Sequence, residues 1–197
     1  PYTFFTAVIG GAVFSLASHA EEVKYSDSWG KPGMTLKQSG TQRAVVNFSV
    51  SSFHKDYIEI DGNEEIVLQV PGIFLPNSEG YPNLPGTGRY IAIPQGATPT
   101  VKILSARTET IEDIDIAPAP NIPLDTDDGP LVYERNQEVY STNAWYPAEP
   151  VRLSDLRKIR GTDVVVLGIT PFQYNPVTRE LIVYRDIEVE VTFSGGN

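Results

Sequence analysis

The sequence predicts an all-β fold: a β-sandwich or distorted barrel of about eight to ten short strands, with little helix. The first observation behind this prediction is that 16 Pro and 16 Gly are spread through the 197 residues, which interrupts long helices. The second is that short apolar segments recur, with turn signals at intervals of about ten residues. Strand–helix–strand units, which would indicate a parallel sheet, are not evident.

The predicted strands follow one another along most of the chain. Each is a run of apolar or β-branched residues bounded by Gly, Pro, Asn or Asp. They cover residues 44–50, 53–60, 65–71, 89–93, 100–110 and 112–116, and several segments between residues 163 and 193. Residues 133–140 fit either a strand or a helical turn. Residues 153–157 fit a short helix with Ser154 as its N-cap.

The last of these strands has the clearest pattern. From Leu181 onwards apolar and polar side chains alternate, so that Val189 and Val191 share one face while Glu188 and Glu190 lie on the other. A period of two indicates a strand with one buried and one solvated face. Upstream, residues 164–169 form an apolar run of the length of a buried strand, and residues 175–176, Asn-Pro, indicate a turn.

Two proline-rich segments are predicted as loops, because proline cannot donate a hydrogen bond to a sheet. They cover residues 72–88 and 118–130. The second loop is stiffened by four prolines and is acidic between residues 125 and 128. Loops held by a rigid scaffold often carry function, so the 118–130 loop is the most informative segment outside the strands.

Composition and charge exclude several classes of function. The net charge is −10 and the pI is near 4.6, whereas a nucleic-acid-binding domain carries a basic face. An acidic domain suits solubility, or docking onto a basic partner. The chain has no cysteine, so it can form neither a disulfide framework nor a thiolate nucleophile.

The N-terminus indicates export. Residues 3–17 are apolar and uncharged, and Ser18 and Ala20 suit a signal peptidase that cleaves before Glu21. The alternatives are a buried strand or a membrane span, but the run is shorter than the ~20 residues that a spanning helix needs. We therefore predict a signal peptide with a truncated basic region at residues 1–20, and a secreted product, periplasmic or extracellular, that has no membrane contact after cleavage. After it we predict a leader or edge element at residues 21–42, a β domain at 43–194 and the start of a linker at 195–197.

No catalytic set can be assembled from this chain. His19 and His54 are its two histidines, and His19 would leave with the signal peptide. His54 is predicted at an exposed strand position, so a nucleophile activated by histidine is not expected. Glu188 and Glu190 fit the solvent side of a strand better than a glycosidase pair.

The acidic residues of the 118–130 loop invite a comparison with calcium sites, which are built from oxygen ligands. Asp125, Asp127 and Asp128 precede Gly129, but their spacing differs from that of an EF-hand loop and no glutamate closes the set. A solvated acidic loop fits better. No metal and no cofactor are predicted.

Several motifs resemble a known family. The C-terminal segment reads Pro-Phe-Gln-Tyr-Asn-Pro-x-Thr-x-x-Leu-x-Val-Tyr from Pro171, and Leu-Arg-x-x-Arg-Gly precedes it from Leu156. Upstream lie Gly-Tyr-Pro-Asn-Leu-Pro from Gly80, Ile-Ala-Ile-Pro at residues 91–94, Ile-Ala-Pro at 116–118 and Trp-Tyr-Pro at 145–147. In this order and spacing, over residues 37–193, they resemble the N-terminal propeptide of gingipain-type cysteine peptidases.

The resemblance implies a non-catalytic propeptide that assists the folding of a secreted peptidase and keeps it latent. Its partner would be the cognate catalytic domain, in cis or in trans. In this family a loop after the Ile-Ala-Pro strand enters the active-site cleft and presents a residue to the specificity pocket. The corresponding inhibitory loop is formed by Leu124, Asp125, Thr126, Asp127 and Asp128. Arginine-specific members present a basic residue there and this loop has none, so Leu124 or Asp125 is the expected pseudo-substrate.

Two other kinds of function remain open from the sequence. Tyr140, Trp145 and Tyr146 could form a platform for sugars in an adhesion or carbohydrate-binding module, or an aromatic plug at the end of a sandwich. The chain could also be a structural module of a cell-surface protein.

Overall fold

The computed structural model describes residues 20–73, 77–122 and 130–196. This part of the chain contains twelve strands and one single-turn helix. They are β1 (Ala20–Lys24), β2 (Gly33–Ser39), β3 (Arg43–Ser49), β4 (Ser52–Ile60), β5 (Asn63–Gln69), β6 (Thr87–Ala92), β7 (Thr98–Ile111), α1 (Gln137–Tyr140), β8 (Val151–Leu153), β9 (Arg157–Ile159), β10 (Thr162–Ile169), β11 (Phe172–Asn175) and β12 (Glu180–Ser194).

The strands form three sheets with antiparallel pairing throughout. The first has the order β1-β4-β5, and the second has the order β6-β10-β8 with β9 also paired to β10. The third has the order β11-β12-β3-β2, and β7 pairs with the other side of β12. The predicted all-β fold with little helix is therefore confirmed. The strand count exceeds the predicted eight to ten because several edge strands have only three to five residues.

The core lies between the sheets and draws on all three. Phe53 of β4 meets Phe172 of β11 edge-to-face, with ring centroids 5.4 Å apart at 76°. This T-shaped geometry is the one that aromatic pairs prefer. Leu167 of β10 and Ile187 of β12 are fully buried in the same cluster. Alternating apolar residues thus point inward from each sheet, as the period of two predicted.

The face of β12 that was predicted to be solvated is in fact partly buried. Glu190 is 6 % exposed, because β12 lies between two other strands whose cations reach over it. Arg43 of β3 and Lys102 of β7 pair with Glu190 at 3.1 and 2.9 Å. Glu188 pairs with Lys37 of β2 and remains partly exposed. The alternation in the sequence predicts which residues share a face, but it does not predict which side chains cover that face.

The predicted helix at residues 153–157 is wrong. Val151–Leu153 and Arg157–Ile159 are strands β8 and β9, and both pair with β10. The hydroxyl of Ser154 accepts a hydrogen bond from the backbone N–H of Val166 at 2.9 Å, so it joins two strands instead of capping a helix. Pairing with a long neighbouring strand overrides the local helix propensity. Of the two readings for residues 133–140, the helical turn is present at α1.

The N-terminal residues of the described chain lie at sheet edges. β1 is the outer strand of the first sheet, and β2 is the outer strand of the third. Residues 1–19, which carry most of the predicted signal peptide, lie outside the described residues. The divisions at residues 20, 42 and 194 stay predictions.

Candidate docking site at the base of the 118–130 loop

Four of the motif segments come together at one place. Residues 80–83 pair with residues 117–119. Tyr81 also contacts Tyr146, with ring centroids 5.4 Å apart. Tyr146 in turn forms a bridge with Tyr174, through backbone hydrogen bonds of 2.9 and 2.7 Å. The motifs that carry the family resemblance therefore build one structural unit around the start of the 118–130 loop.

The loop leaves and returns along two paired limbs. We call residues 116–122 the outgoing limb and residues 130–136 the returning limb. Asn121 N–H donates to the carbonyl of Val132 at 2.9 Å, which joins the limbs to each other. Gly80 joins both to the body of the domain: its N–H donates to Ala119 O at 2.9 Å, and its carbonyl accepts from Asn136 N–H at 2.9 Å.

Gly80 occupies a position that admits no side chain. Its φ is +79°, and an added Cβ would lie 2.9 Å from the carbonyl oxygen of Glu134 and 3.2 Å from the nitrogen of Asn136. Glycine takes positive φ without steric cost. The sequence motif therefore has a glycine here because the returning limb passes directly over it.

Helix α1 fastens the end of the returning limb. The side chain of Asn136 caps the helix, accepting hydrogen bonds from Glu138 N–H at 3.1 Å and Val139 N–H at 3.3 Å. The hydroxyl of Tyr140 donates to the carbonyl of Ile116 on the outgoing limb at 2.9 Å. Burial raises the pKa of Tyr140, so it stays a neutral donor. Both limbs are thereby held to one another at their bases.

The aromatic cluster near residue 145 packs into the domain. Tyr140 and Tyr146 both contact the hydrophobic core, and Trp145 is partly buried. The hydroxyl of Tyr174 donates to the carbonyl of Ile114 at 3.1 Å, and burial raises its pKa to about 12. This arrangement matches an aromatic plug better than an open platform for sugars.

Apolar side chains are exposed where the limbs approach the loop. Ile122 is 73 % exposed, Leu131 50 % and Val132 51 %. A short paired stem with three exposed aliphatic residues offers apolar surface beside the loop, and such a patch commonly marks an interaction site.

The predicted inhibitory residues Leu124, Asp125, Thr126, Asp127 and Asp128 lie outside the described residues, as does the acidic sequence considered for calcium. Their flanks on both sides are described. Among residues 20–73, 77–122 and 130–196, no group of three or more His, Asp or Glu side chains could hold a metal ion. His54 lies on β4, half-buried at the wall of a cavity of about 470 Å³.

A pocket of about 420 Å³ lies beside the returning limb. One wall is formed by Asp61 of the β4–β5 turn and Glu65 of β5. The other is formed by Tyr133, Glu134 and Arg135 of the returning limb. Glu65 is 3 % exposed, and its Oε1 pairs with Arg135 at 2.9 Å. Burial raises the pKa of Glu65, and Arg135 opposes that rise. The guanidinium of Arg135 also lies over the ring of Tyr140, at 4.7 Å.

Asp186 is another buried carboxylate, and the sequence pattern did not single it out. Asp186 is fully buried and accepts hydrogen bonds from Trp29 N–H at 2.8 Å, Ser49 Oγ at 2.6 Å and Arg107 Nη2 at 2.5 Å. Arg107 also pairs with Asp27 at 2.9 Å. The segment between β1 and β2 is thereby tied to β3, β7 and β12.

Comparison with known proteins identifies the family. The profile described as Propeptide_C25 matches residues 25–196, so the chain belongs to the Propeptide_C25 family. The gingipain-type resemblance is thus confirmed, together with the prediction that the chain is a propeptide and not a catalytic domain.

Curated relatives and solved structures agree with this assignment. Lys-gingipain HG66 of Porphyromonas gingivalis is 24 % identical over 197 residues, which cover 96 % of this chain and 11 % of the relative. Gingipain R2 of strain W83 is 28 % identical over 198 residues, which cover 95 % of this chain and 24 % of the relative. The chain therefore spans between about a tenth and a quarter of the length of these relatives.

Two solved structures from Porphyromonas gingivalis share the fold. One is the complex of RgpB pro- and mature domains, with a TM-score of 0.78, 23 % identity, and coverage of 84 % of this chain and 87 % of that chain. The other addresses the zymogenic latency of gingipain K, with a TM-score of 0.72, 25 % identity, and coverage of 90 % and 100 %. In the described part of the chain, no helix combines the length and apolar character needed to cross a membrane.

Proposed function

We propose that this domain keeps a secreted, gingipain-like cysteine peptidase latent by covering its active-site cleft, and that it assists the folding of that peptidase. One observation carries the proposal: Propeptide_C25 matches almost the whole domain, and the fold is that of prodomains described in complex with a mature domain and in zymogenic latency. The partner is the cognate catalytic domain, in cis and also in trans when the two are supplied separately.

The loop base explains how a small segment could block a cleft. Both limbs of the 118–130 loop are tied to the domain through Gly80, and Tyr140 fastens the outgoing limb. A loop whose ends are fixed loses less conformational entropy when it docks, as preorganised inhibitors require. Ile122, Leu131 and Val132 supply apolar contact surface beside it.

The identity of the blocking residue is the second part of the proposal. The segment 118–130 contains no Lys or Arg, so we place Leu124 or Asp125 in the specificity pocket. The cognate peptidase would then prefer an aliphatic or an acidic residue. A peptidase that cleaves after lysine or arginine alone would contradict this assignment.

The test is inhibition by the purified chain in trans. The cognate catalytic domain is titrated with the chain and with Leu124→Ala and Asp125→Ala, and the inhibition constant is measured with a fluorogenic substrate. We expect the parent chain to inhibit the peptidase. For at least one of the two variants the inhibition constant should rise tenfold or more, which corresponds to about 1.4 kcal/mol of binding free energy. Asp155→Asn, an exposed carboxylate in the β8–β9 connection, is the matched control. No inhibition by the parent chain would refute latency, and two unchanged constants would remove Leu124 and Asp125 from the pocket.

Export through the signal peptide at residues 1–20 is part of the same proposal. It is supported by the apolar run ending in Ser18-His19-Ala20. Expression of the complete precursor with its natural N-terminus, followed by N-terminal sequencing of the exported product, should give Glu21 as the first residue. A product that stays in the cytoplasm would contradict it.

A further inference from the structure

The pocket beside the returning limb has an unfilled hydrogen-bonding position at its wall. Glu65 is 3 % exposed, and while its Oε1 pairs with Arg135, its Oε2 is buried without a hydrogen-bond partner. A buried acceptor without a donor destabilises the folded state, and the effect is larger when the acceptor is charged. A donor that entered the pocket would satisfy this carboxylate once Glu65 turned the unpaired oxygen towards it, which gives the site a preference for one kind of occupant.

The charge around this oxygen favours a cation. Three carboxylates, those of Asp61, Glu65 and Glu134, line the pocket against the single guanidinium of Arg135. Asp115 and Asp61 add to the negative potential at Glu65 and help to raise its pKa after burial itself. Because the described residues provide no metal-binding group of three or more ligands, an ammonium or guanidinium group with several N–H donors fits better than a metal ion.

The position of the pocket indicates where such a cation would come from. Tyr133, Glu134 and Arg135 belong to the returning limb and begin three residues after Pro130, where the loop ends. A protein that docked on the loop would therefore come within a few residues of the pocket along the returning limb. Asp61 and Glu134 are exposed, so they can attract an approaching positive charge before it reaches Glu65.

We propose that this pocket binds a lysine or arginine side chain on the surface of the peptidase, as a second anchor beside the loop. This inference rests on the proposed function for the identity of the partner. The preference of the pocket for a cation follows from Glu65, Asp61 and Glu134 and does not depend on the partner. The pocket would set the position of the returning limb, and through it the angle at which the loop enters the cleft.

The first experiment tests the pocket without any peptidase. Backbone amide chemical shifts of the ¹⁵N-labelled chain are followed during titration with N-acetyl-arginine amide, N-acetyl-lysine amide and the neutral N-acetyl-citrulline amide. We expect saturable shifts at residues 61–65 and 133–137 with one or both cations and none with citrulline. The cation that binds more tightly identifies the side chain, lysine or arginine, that the pocket prefers. Equal shifts with citrulline, or no shift at these amides, would overturn the inference.

The second experiment measures the anchor in the complex. Asp61→Asn with Glu134→Gln removes two exposed charges; the Asn suits the positive φ of residue 61, which is 50°. We expect the inhibition constant to rise about three- to tenfold, and Glu65→Gln to raise it further, with Asp155→Asn as the control. Urea denaturation checks that each variant is folded.

The outcomes of the two experiments separate this inference from the proposed function. If the parent chain does not inhibit the peptidase but shows cation-specific shifts, latency and the peptidase anchor are refuted and the cation site remains. A parent chain that inhibits, with an unchanged constant for the double variant, would refute the anchor and leave latency standing.

Discussion

Gly80→Ala is expected to destabilise the domain by about 3–4 kcal/mol and to loosen the loop base. The positive φ of residue 80 costs an L-residue about 1–2 kcal/mol. The new methyl group would lie 2.9 Å from the carbonyl oxygen of Glu134, so the returning limb must move away. That movement weakens the hydrogen bonds from Gly80 N–H to Ala119 and from Asn136 N–H to Gly80, which contribute about 1 kcal/mol each.

A matched control separates the two causes. Gly161 has a φ of +83° with open space around its Cβ position, so Gly161→Ala carries the conformational cost alone. Urea denaturation followed by circular dichroism should therefore show that Gly80→Ala lowers the free energy of unfolding by about 2 kcal/mol more than Gly161→Ala does. Inhibition of the peptidase should weaken for Gly80→Ala and not for Gly161→Ala. Equal unfolding midpoints for the two variants would refute the reasoning that the limb presses on Gly80.

Three further variants test the remaining contacts. Asp186→Ala should lower the free energy of unfolding, measured by urea denaturation, by about 3 kcal/mol. This is the lower end of the range for a broken buried ion pair, because Arg107 keeps its second partner, Asp27. A decrease of less than about 1 kcal/mol would contradict the role of Asp186. Tyr140→Phe removes the hydrogen bond to Ile116 O and should cost about 1 kcal/mol with the fold intact, so unchanged stability would show that this bond is not needed. Hydrogen bonds and ion pairs with Lys102 and Arg43 hold the pKa of Glu190 below its ordinary value. The ionised Glu190 therefore stabilises the fold above its unfolded-state pKa, and this stabilisation is lost as the pH falls through its folded-state pKa. Glu190→Gln should make the free energy of unfolding fall less steeply at acid pH. An unaltered stability–pH profile would contradict this role of Glu190.

The sequence predicted the parts of the fold that depend on local patterns. The alternation from Leu181 to Phe193 and the apolar run at residues 164–169 correspond to β12 and β10. The helix expected at residues 153–157 failed because its residues have mixed propensity, and pairing with β10 decided the outcome. Local propensity cannot report a neighbouring strand that is separated in sequence.

The site was predictable through its motifs and not through its contacts. Gly80 and Tyr146 stood in the motif segments, yet nothing in the spacing showed that these segments pair with one another or that the returning limb crosses Gly80. Glu65 and Asp186 read as ordinary charged residues of strands. Their burial depends on Arg135 and Arg107, which approach from distant parts of the chain.

The position of β12 constrains how this chain can fold during synthesis. β12 is the last of the described strands to be made, and it supplies the partner for β3, β7 and β11. Phe48 of β3 meets Ile187 of β12 only after about 140 further residues have been translated, which takes roughly 7–30 seconds at typical rates. Throughout that interval β3 lacks the strand that pairs with its second edge. The third sheet therefore assembles around a strand that joins it only when synthesis of the domain is nearly complete.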